Sequence, residues 1–599
     1  MMARVAFSAG ALVAICGVAV LASCKDPTPG FTTKPVSQSS SAGNPAGVAA
    51  PTANEDCPIG DDWFPTTAPV RMFVPAPHPD TECPFYRGAY QNFLIAMQPD
   101  ANGDPGIVHY PTIDDAFISA TPHPVRNTSG WAWLGAVRQA GRRQILIDQN
   151  GHTLYYGIHM NQAFVNFIKA NNLQTVQGIR NVNPNLSFPP GLVEFKTAWT
   201  DIDPGDFPGG KVPPPTNDPN NKTDPGDYSN YITTMAWVPH LSQDPTTGKI
   251  IEHPDQPRLI KVALVAIHAV YTLPGHPEFI WGSIQHVNLQ GTDAVATSVQ
   301  GMPVIGAPDC QPDTTQLPSR ADPDNVHVST PVSPYNYLLY KGNTPENQAN
   351  AAYADTQLQL DETTQSFKNA PTSIYRMFPG SKSQQIGPDT AIVSLNANLT
   401  ALAAQQAQNG KLDIRLNYHL VAAVWLDKPG FFALNQSLQN DTSNPLYQGA
   451  LNGNLYPGVN EGKTCGTPLG PHGASGDVPG APNTVPGCVT RADVLASAPA
   501  DAGSSPGEIV LNDFIANGTD SPFSILGGED RLSSTSMESF TQAPDTFPNC
   551  FSCHNTQPVT TNGTPQVRDP TSALVLTKPA LINVSHIFSE FVLRETQAQ

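Results

Sequence analysis

Residues 259–271 read LIKVALVAIHAVY and residues 278–287 read EFIWGSIQHV. Both are runs of apolar, β-branched and aromatic residues, and Pro274 and Gly275 stand between them. Runs of that length and composition, closed by turn residues, predict two neighbouring β-strands. Upstream, GLVEFKTAW at 191–199 and YITTMAWV at 231–238 have the same character and the same Pro, Gly or Asp punctuation. The four are expected to lie side by side in one sheet. Before them, PFYRGAYQNFLIAM at 84–97 suits a short helix, and a strand is expected over Thr153–Met160. Asn161 then stands where its amide oxygen can cap the helix QAFVNFIKANN at 162–172. The second half predicts helices over Glu346–Thr364 and Ala391–Gln408 and a strand in LNYHLVAAVWL at 416–426. The expected fold class is α+β: a β-rich large domain with helices and long loops, followed by a short C-terminal segment. Residues 301–335 and 454–507 are Pro/Gly-rich and longer than ordinary connections. No regular internal repeat is present.

The chain has 599 residues, beyond the 250 to 300 or so at which one hydrophobic core stops growing, so more than one packed unit is expected. Its 61 prolines, 47 glycines and 14% charged residues describe ordered elements separated by turn-rich loops. Fifty acidic against 31 basic residues give a formal charge of -19, and no basic stripe offsets it. A nucleic-acid partner is excluded on that ground, because a phosphate backbone would be repelled.

The first 24 residues, MMARVAFSAGALVAICGVAVLASC, carry one early charge at Arg4 and then an apolar run from Val5 to Leu21, the pattern of a secretory signal. Leu21-Ala22-Ser23-Cys24 resembles the lipobox of bacterial lipoproteins, which implies lipidation of Cys24 and anchoring to a membrane. Lys25 in place of Asp implies the periplasmic side of the outer membrane. Residues 25–55 are Pro, Ser, Ala and Gly with little to bury and read as a flexible tether. The expected organisation is therefore 1–24 signal peptide, 25–55 tether, 56–300 β-rich mixed domain, 301–530 helix- and loop-rich part of the same or a second domain, and 531–599 C-terminal segment. Export permits disulfides. With Cys16 and Cys24 in the leader and Cys550 and Cys553 assigned below, Cys57, Cys83, Cys310, Cys465 and Cys488 remain. Nearest-neighbour pairing joins Cys57 to Cys83 and Cys465 to Cys488 and leaves Cys310 over; other pairings stay open.

In FPNCFSCHNT at 547–556 the two cysteines stand three apart and His554 follows directly. That is the CxxCH pattern of c-type haem attachment: Cys550 and Cys553 form thioethers to one porphyrin edge and His554 reaches the iron. A zinc half-site lacks a second CxxC or HxxxH, and a thioredoxin-like dithiol lacks its βαβ context. The cofactor expected is one covalent haem c. No methionine follows His554. The sixth iron ligand is left between His586 in NVSHIFSEFV, Met537 in SSTSMESF, and no protein ligand. In a helix, Ile587, Phe588, Phe591 and Val592 form the apolar face and His586 points nearly the other way, although an extended approach to that helix turns it inward. Met537 has the alternative of packing with Phe540.

YYGIHMNQAFVNFIKANNL (155–173), FPPGLVEFKTAW (188–199), EFIWGSIQHVN (278–288) and LSSTSMESF (532–540) leading into NCFSCHN (549–555) resemble a family of uncharacterised exported bacterial cytochrome c family proteins. The resemblance implies a large mixed β-rich domain with one C-terminal c-haem, and no established substrate. Where those proteins carry an acidic residue before the histidine of the WxxxxH strand, this chain has Gln285. His268, His276 and His286 fall on two strands and their turn, where a shared metal or proton-transfer site is one reading and separate hydrogen-bonded histidines the other. NDPNNKTDPGDYSN at 217–230 is rich in oxygen ligands suited to calcium but lacks EF-hand spacing and reads first as a solvated loop. No P-loop, GxGxxG, GxSxG or HExxH motif is present. The function expected is electron transfer in the cell envelope with a redox partner protein; the alternative is a haem-dependent oxidoreductase, dehydrogenase or peroxidase, whose large domain binds a substrate.

Overall fold

The computed structural model describes residues 57–59, 63–64, 82–119, 131–140, 144–183, 186–212, 228–274, 276–287, 337–341, 344, 350–369, 372–374, 390–410, 412–426, 526–528, 534–541, 550, 554, 577 and 580–597. They all belong to one compact unit, Ala53–Gln599. Among them no helix is long and apolar enough to cross a membrane.

An eight-stranded sheet organises that unit. Its strands are β1 (Ala132–Trp133), β2 (Leu154–Met160), β3 (Val193–Asp201), β4 (Thr233–Gln243), β5 (Ile250–Leu273), β6 (His276–His286), then β9 (Tyr418–Leu426) and β10 (Leu526–Gly528). A small separate hairpin supplies β7 (Leu360–Asp361) and β8 (Ser366–Phe367). The main path runs β1-β4-β5-β6-β9-β10, and β3 joins on β5 with β2 outside it. Only β1 with β4 is parallel, so the sheet is mixed and the chain α+β. The four expected strands are indeed neighbours, and 24-residue β5 is long enough to pair with β4 along its first half and with β3 and β6 along its second.

Alternate residues of these strands enter two cores, because successive side chains of a strand point to opposite faces. Leu264, Ala269, Tyr271, Ile280, Ile284, Ala423 and Trp425 pack with helix α1 (Cys83–Ala96) through Phe85, Tyr86, Ala89, Tyr90 and Phe93. The approach is close: a Cβ on Gly282 would lie 2.4 Å from the Ala89 Cβ, and one on Gly88 would lie 2.6 Å from the Tyr271 hydroxyl, which donates to the Phe85 carbonyl. A disulfide joins Cys57 to Cys83 at the start of α1, matching the nearest-neighbour pairing. Closing a loop of that length stabilises the fold by about 3.5 kcal/mol in the chain-entropy picture. At the other end Arg415, fully buried, chelates Asp413 and donates to the Leu94 carbonyl, clamping the last turn of α1.

The opposite core gathers Val270, Trp281, Ala422 and Val424 with the short helix α2 (Ile113–Ala116), α3 (Gln162–Ala170), α4 (Val176–Arg180) and the C-terminal helix. Asn161 caps α3 as expected, its side chain accepting from the Phe164 N–H at 3.0 Å. Helix α5 (Thr390–Gln408) packs on β9 and α1. Helix α6 (His586–Gln597) follows a 3-10 turn at Leu581–Val584 and lies against β2, β3 and α4.

The helix expected over Glu346–Thr364 does not form within residues 350–364. Asn350 and Gln365 have φ of 56° and 49°, and the stretch between holds one 3-10 turn, Asp355–Gln357, and strand β7. Tertiary hydrogen bonds override the helical composition. Asp355 accepts from Arg138 and the Ile250 N–H, while the Gln243 side chain bonds the Leu358 carbonyl and the Leu360 N–H.

Candidate functional site

On the second sheet face the register sets side chains out in rows. Met160, Glu194, Val270, Trp281 and Val424 are cross-strand partners in sequence; the next row is Ile158, Lys196, His268, Ser283 and Ala422. Every residue of β3 is buried, so Glu194 and Lys196, two apart in the strand, share this face away from solvent. A buried ionisable side chain must find partners, and here each does. Lys196 Nζ donates to the Gln139 carbonyl at 2.8 Å and lies over the Tyr156 ring. Glu194 turns toward α6.

His586 is the first residue of α6 and is buried. Ile587, Phe588, Phe591 and Val592 form the buried face, as expected, yet His586 also faces inward. The reason is local. At the helix start the backbone N–H groups need outside acceptors. Glu194 is one: its carboxylate accepts from the His586 N–H at 3.0 Å, from the Ser585 hydroxyl, and from His586 Nδ1 at 3.0 Å. Burial pushes the Glu194 carboxyl up to about 7 against those hydrogen bonds.

The His554 ring meets that of His586 with centroids 4.1 Å apart. Trp281 stacks on His554 at 4.9 Å and stands edge-on to His586 at 5.1 Å. The His554 N–H donates to the Cys550 carbonyl at 2.6 Å, and Cys550 is buried in the same core as α6. Desolvation holds both histidines well below their ordinary pKa; at His554 the neighbouring His586, Lys196 and His268 lower it further, and at His586 Lys196 and His268 do. Both imidazoles are neutral and one has Nδ1 tied to a carboxylate, so each ring offers a nitrogen lone pair. The rings touch directly, so a planar group taken between them must part them. Cys553 lies outside the described residues, as do Cys24, Cys310, Cys465 and Cys488.

Met537 is placed differently. It is buried with Phe540, Tyr156, Ala198 and Ala266 in a cluster separate from the one that contains Cys550 and α6. Its neighbour Glu538 is the residue that reaches the histidines: Glu538 Oε1 is 3.1 Å from His268 Nε2, and the His268 ring is 6.3 Å from that of His586. Gln285 accepts from the Thr535 hydroxyl at 3.1 Å and pins this segment to the sheet.

His268, His276 and His286 do not converge. His276 bonds Glu278 at 2.9 Å, and His286 stacks on Tyr231 with Nε2 donating to the Asn230 carbonyl. Among the described residues no group of three His, Cys, Asp or Glu side chains is set to hold a metal ion. Residues 217–227 of the oxygen-rich loop lie outside the described residues. Glu194, Lys196 and Trp281 are the site residues that sequence reasoning passed over. The available signal was the Glu-x-Lys pair on one face of a strand with no other polar residue before Thr197.

The chain matches no model of a known protein family, no curated protein and no solved structure.

Proposed function

We propose that the chain is an exported monohaem c-type cytochrome that carries single electrons in the cell envelope. In this reading Cys550 and Cys553 would hold haem c through thioethers, and His554 and His586 would both ligate its iron. The large β-rich unit forms the haem pocket for a short C-terminal segment, residues 531–599. Cys24 carries a lipid anchor on the periplasmic side of the outer membrane, and a redox partner protein exchanges the electron. The single observation that carries the reading is the meeting of His554 and His586 beside Cys550, against Trp281. The donor set suits the group: two imidazoles poor in protons, an apolar and aromatic wall, and a carboxylate behind one imidazole.

When bound, the iron porphyrin supplies a one-electron ferric/ferrous couple. The chain's own residues orient the ligands, exclude water and fix their protonation. His586 favours a carrier over a peroxidase, because a peroxidase needs an open iron position. The test is expression in a host that matures c-type cytochromes, followed by a denaturing gel stained for haem and an alkaline pyridine spectrum. One haem per chain that survives denaturation is the expected result, and haem lost on denaturation ends the reading.

A further inference from the structure

One carboxylate joins β3 to the start of α6. Glu194 accepts from three donors, the Ser585 hydroxyl, the His586 N–H and His586 Nδ1. The Ser585 hydroxyl oxygen in turn accepts from the Ile587 N–H at 3.1 Å. Two of the three donors to Glu194 are not the imidazole ring, so the carboxylate keeps its place whatever the ring does. A neutral imidazole has one N–H. With that proton at Nδ1, facing Glu194, the lone pair is at Nε2, on the opposite side of the ring.

We propose that Glu194 is a positioning residue for His586 as an iron ligand: it fixes His586 as the Nδ1–H tautomer, leaves Nε2 free to ligate, and polarises the ring so that the ferric state would be favoured. This rests on the haem reading above. A carboxylate behind a ligating histidine raises its basicity, and loss of such a partner weakens ligation on the order of tenfold to a hundredfold. The higher charge of ferric iron makes it the more sensitive of the two states.

Two variants test this in the full-length haem-loaded protein. Glu194→Gln keeps the volume and an acceptor oxygen but removes the charge; Glu194→Leu removes both. With Gln, covalent haem and a low-spin spectrum are expected to persist, while the preference for ferric iron falls about tenfold, a rise of about 59 mV in a one-electron potential. With Leu, a fraction of the reduced haem is expected to bind CO, and none of the parent's is. If the Leu chain fails to fold, the Gln potential decides. A parent protein with covalent haem but the same potential and CO behaviour in the Gln variant overturns the role of Glu194 and leaves the haem reading standing. A parent protein without covalent haem overturns both.

Discussion

The two faces of the β5–β6–β9 sheet are built from the same strands and do different work. On the α1 face, Leu264, Tyr271, Ile280 and Ile284 meet Phe85, Ala89 and Tyr90 in a core whose polar contacts are few and structural. On the α6 face, one residue along each strand, the inward groups are Glu194, Lys196, His268, Trp281 and Ser283. Burying such groups costs several kcal/mol unless each is paired. The first face shows what these strands need for stability. The second shows what they carry beyond it.

The sharpest way to break that comparison is to remove the proposed haem attachment. A chain with both Cys550→Ser and Cys553→Ser is expected to lose covalent haem completely, measured by the alkaline pyridine spectrum, while far-ultraviolet circular dichroism keeps its strand signal. Collapse of the whole sheet on losing two C-terminal thiols would mean that the α6 face is structural after all.

Next in size is a substitution on the other face. Gly282→Leu forces side-chain atoms into Ala89, whose Cβ would stand 2.4 Å from the new Cβ. Overpacking of this kind costs about 3 kcal/mol or more. Urea unfolding is expected to show that loss, with the haem spectrum of the remaining folded protein unchanged. A neutral Gly282→Leu would contradict the close helix approach.

His286, at the end of the α1 face, gives a pH test. Burial pushes its pKa down to about 3, from an ordinary value near 6.5. The folded value is depressed, so below pH 6.5 the unfolded chain takes up a proton that the folded chain refuses until about pH 3. Its stabilising contribution is whole above pH 6.5 and is lost as pH falls, by about 1.4 kcal/mol per pH unit. His286→Phe is therefore expected to gain on the parent by about 3 kcal/mol between pH 6.5 and 4.5, in urea midpoints taken at each pH. Parallel curves for the two proteins would refute the assignment.

The smallest effect belongs to Tyr271→Phe, which removes the bond from the Tyr271 hydroxyl to the Phe85 carbonyl beside Gly88. About 1 kcal/mol of stability should go, with no change at the haem. A shift in the haem spectrum would show that the faces communicate.

How much of this was legible in sequence follows from the range of the forces involved. The strands around LIKVALVAIHAVY, the Asn161 cap, the Ala391–Gln408 helix and the Cys57–Cys83 pair rest on local pattern and short loops, and all are present. The expected helix over Glu346–Thr364 failed because Gln243 claims its backbone while Arg138 and the Ile250 N–H hold the Asp355 carboxylate, each partner more than 100 residues away. His586 illustrates the same limit at the site. A helical wheel turns it outward, but it is the first residue of α6, where an outside acceptor sets direction, and that acceptor is Glu194, 392 residues earlier. Cys550 and His554 stood out in the sequence because the proposed attachment chemistry demands close spacing along the chain. Their surroundings were not, since register alone brings Trp281 and Lys196 to them.

The central claim is that His554 and His586 form one ligand pair. Its most direct test is the optical spectrum of the reduced, purified protein with and without CO, set beside that of His586→Ala. A low-spin spectrum indifferent to CO is expected of the parent and a CO-binding haem of the variant. CO binding by the parent, or a variant as indifferent as the parent, would contradict it.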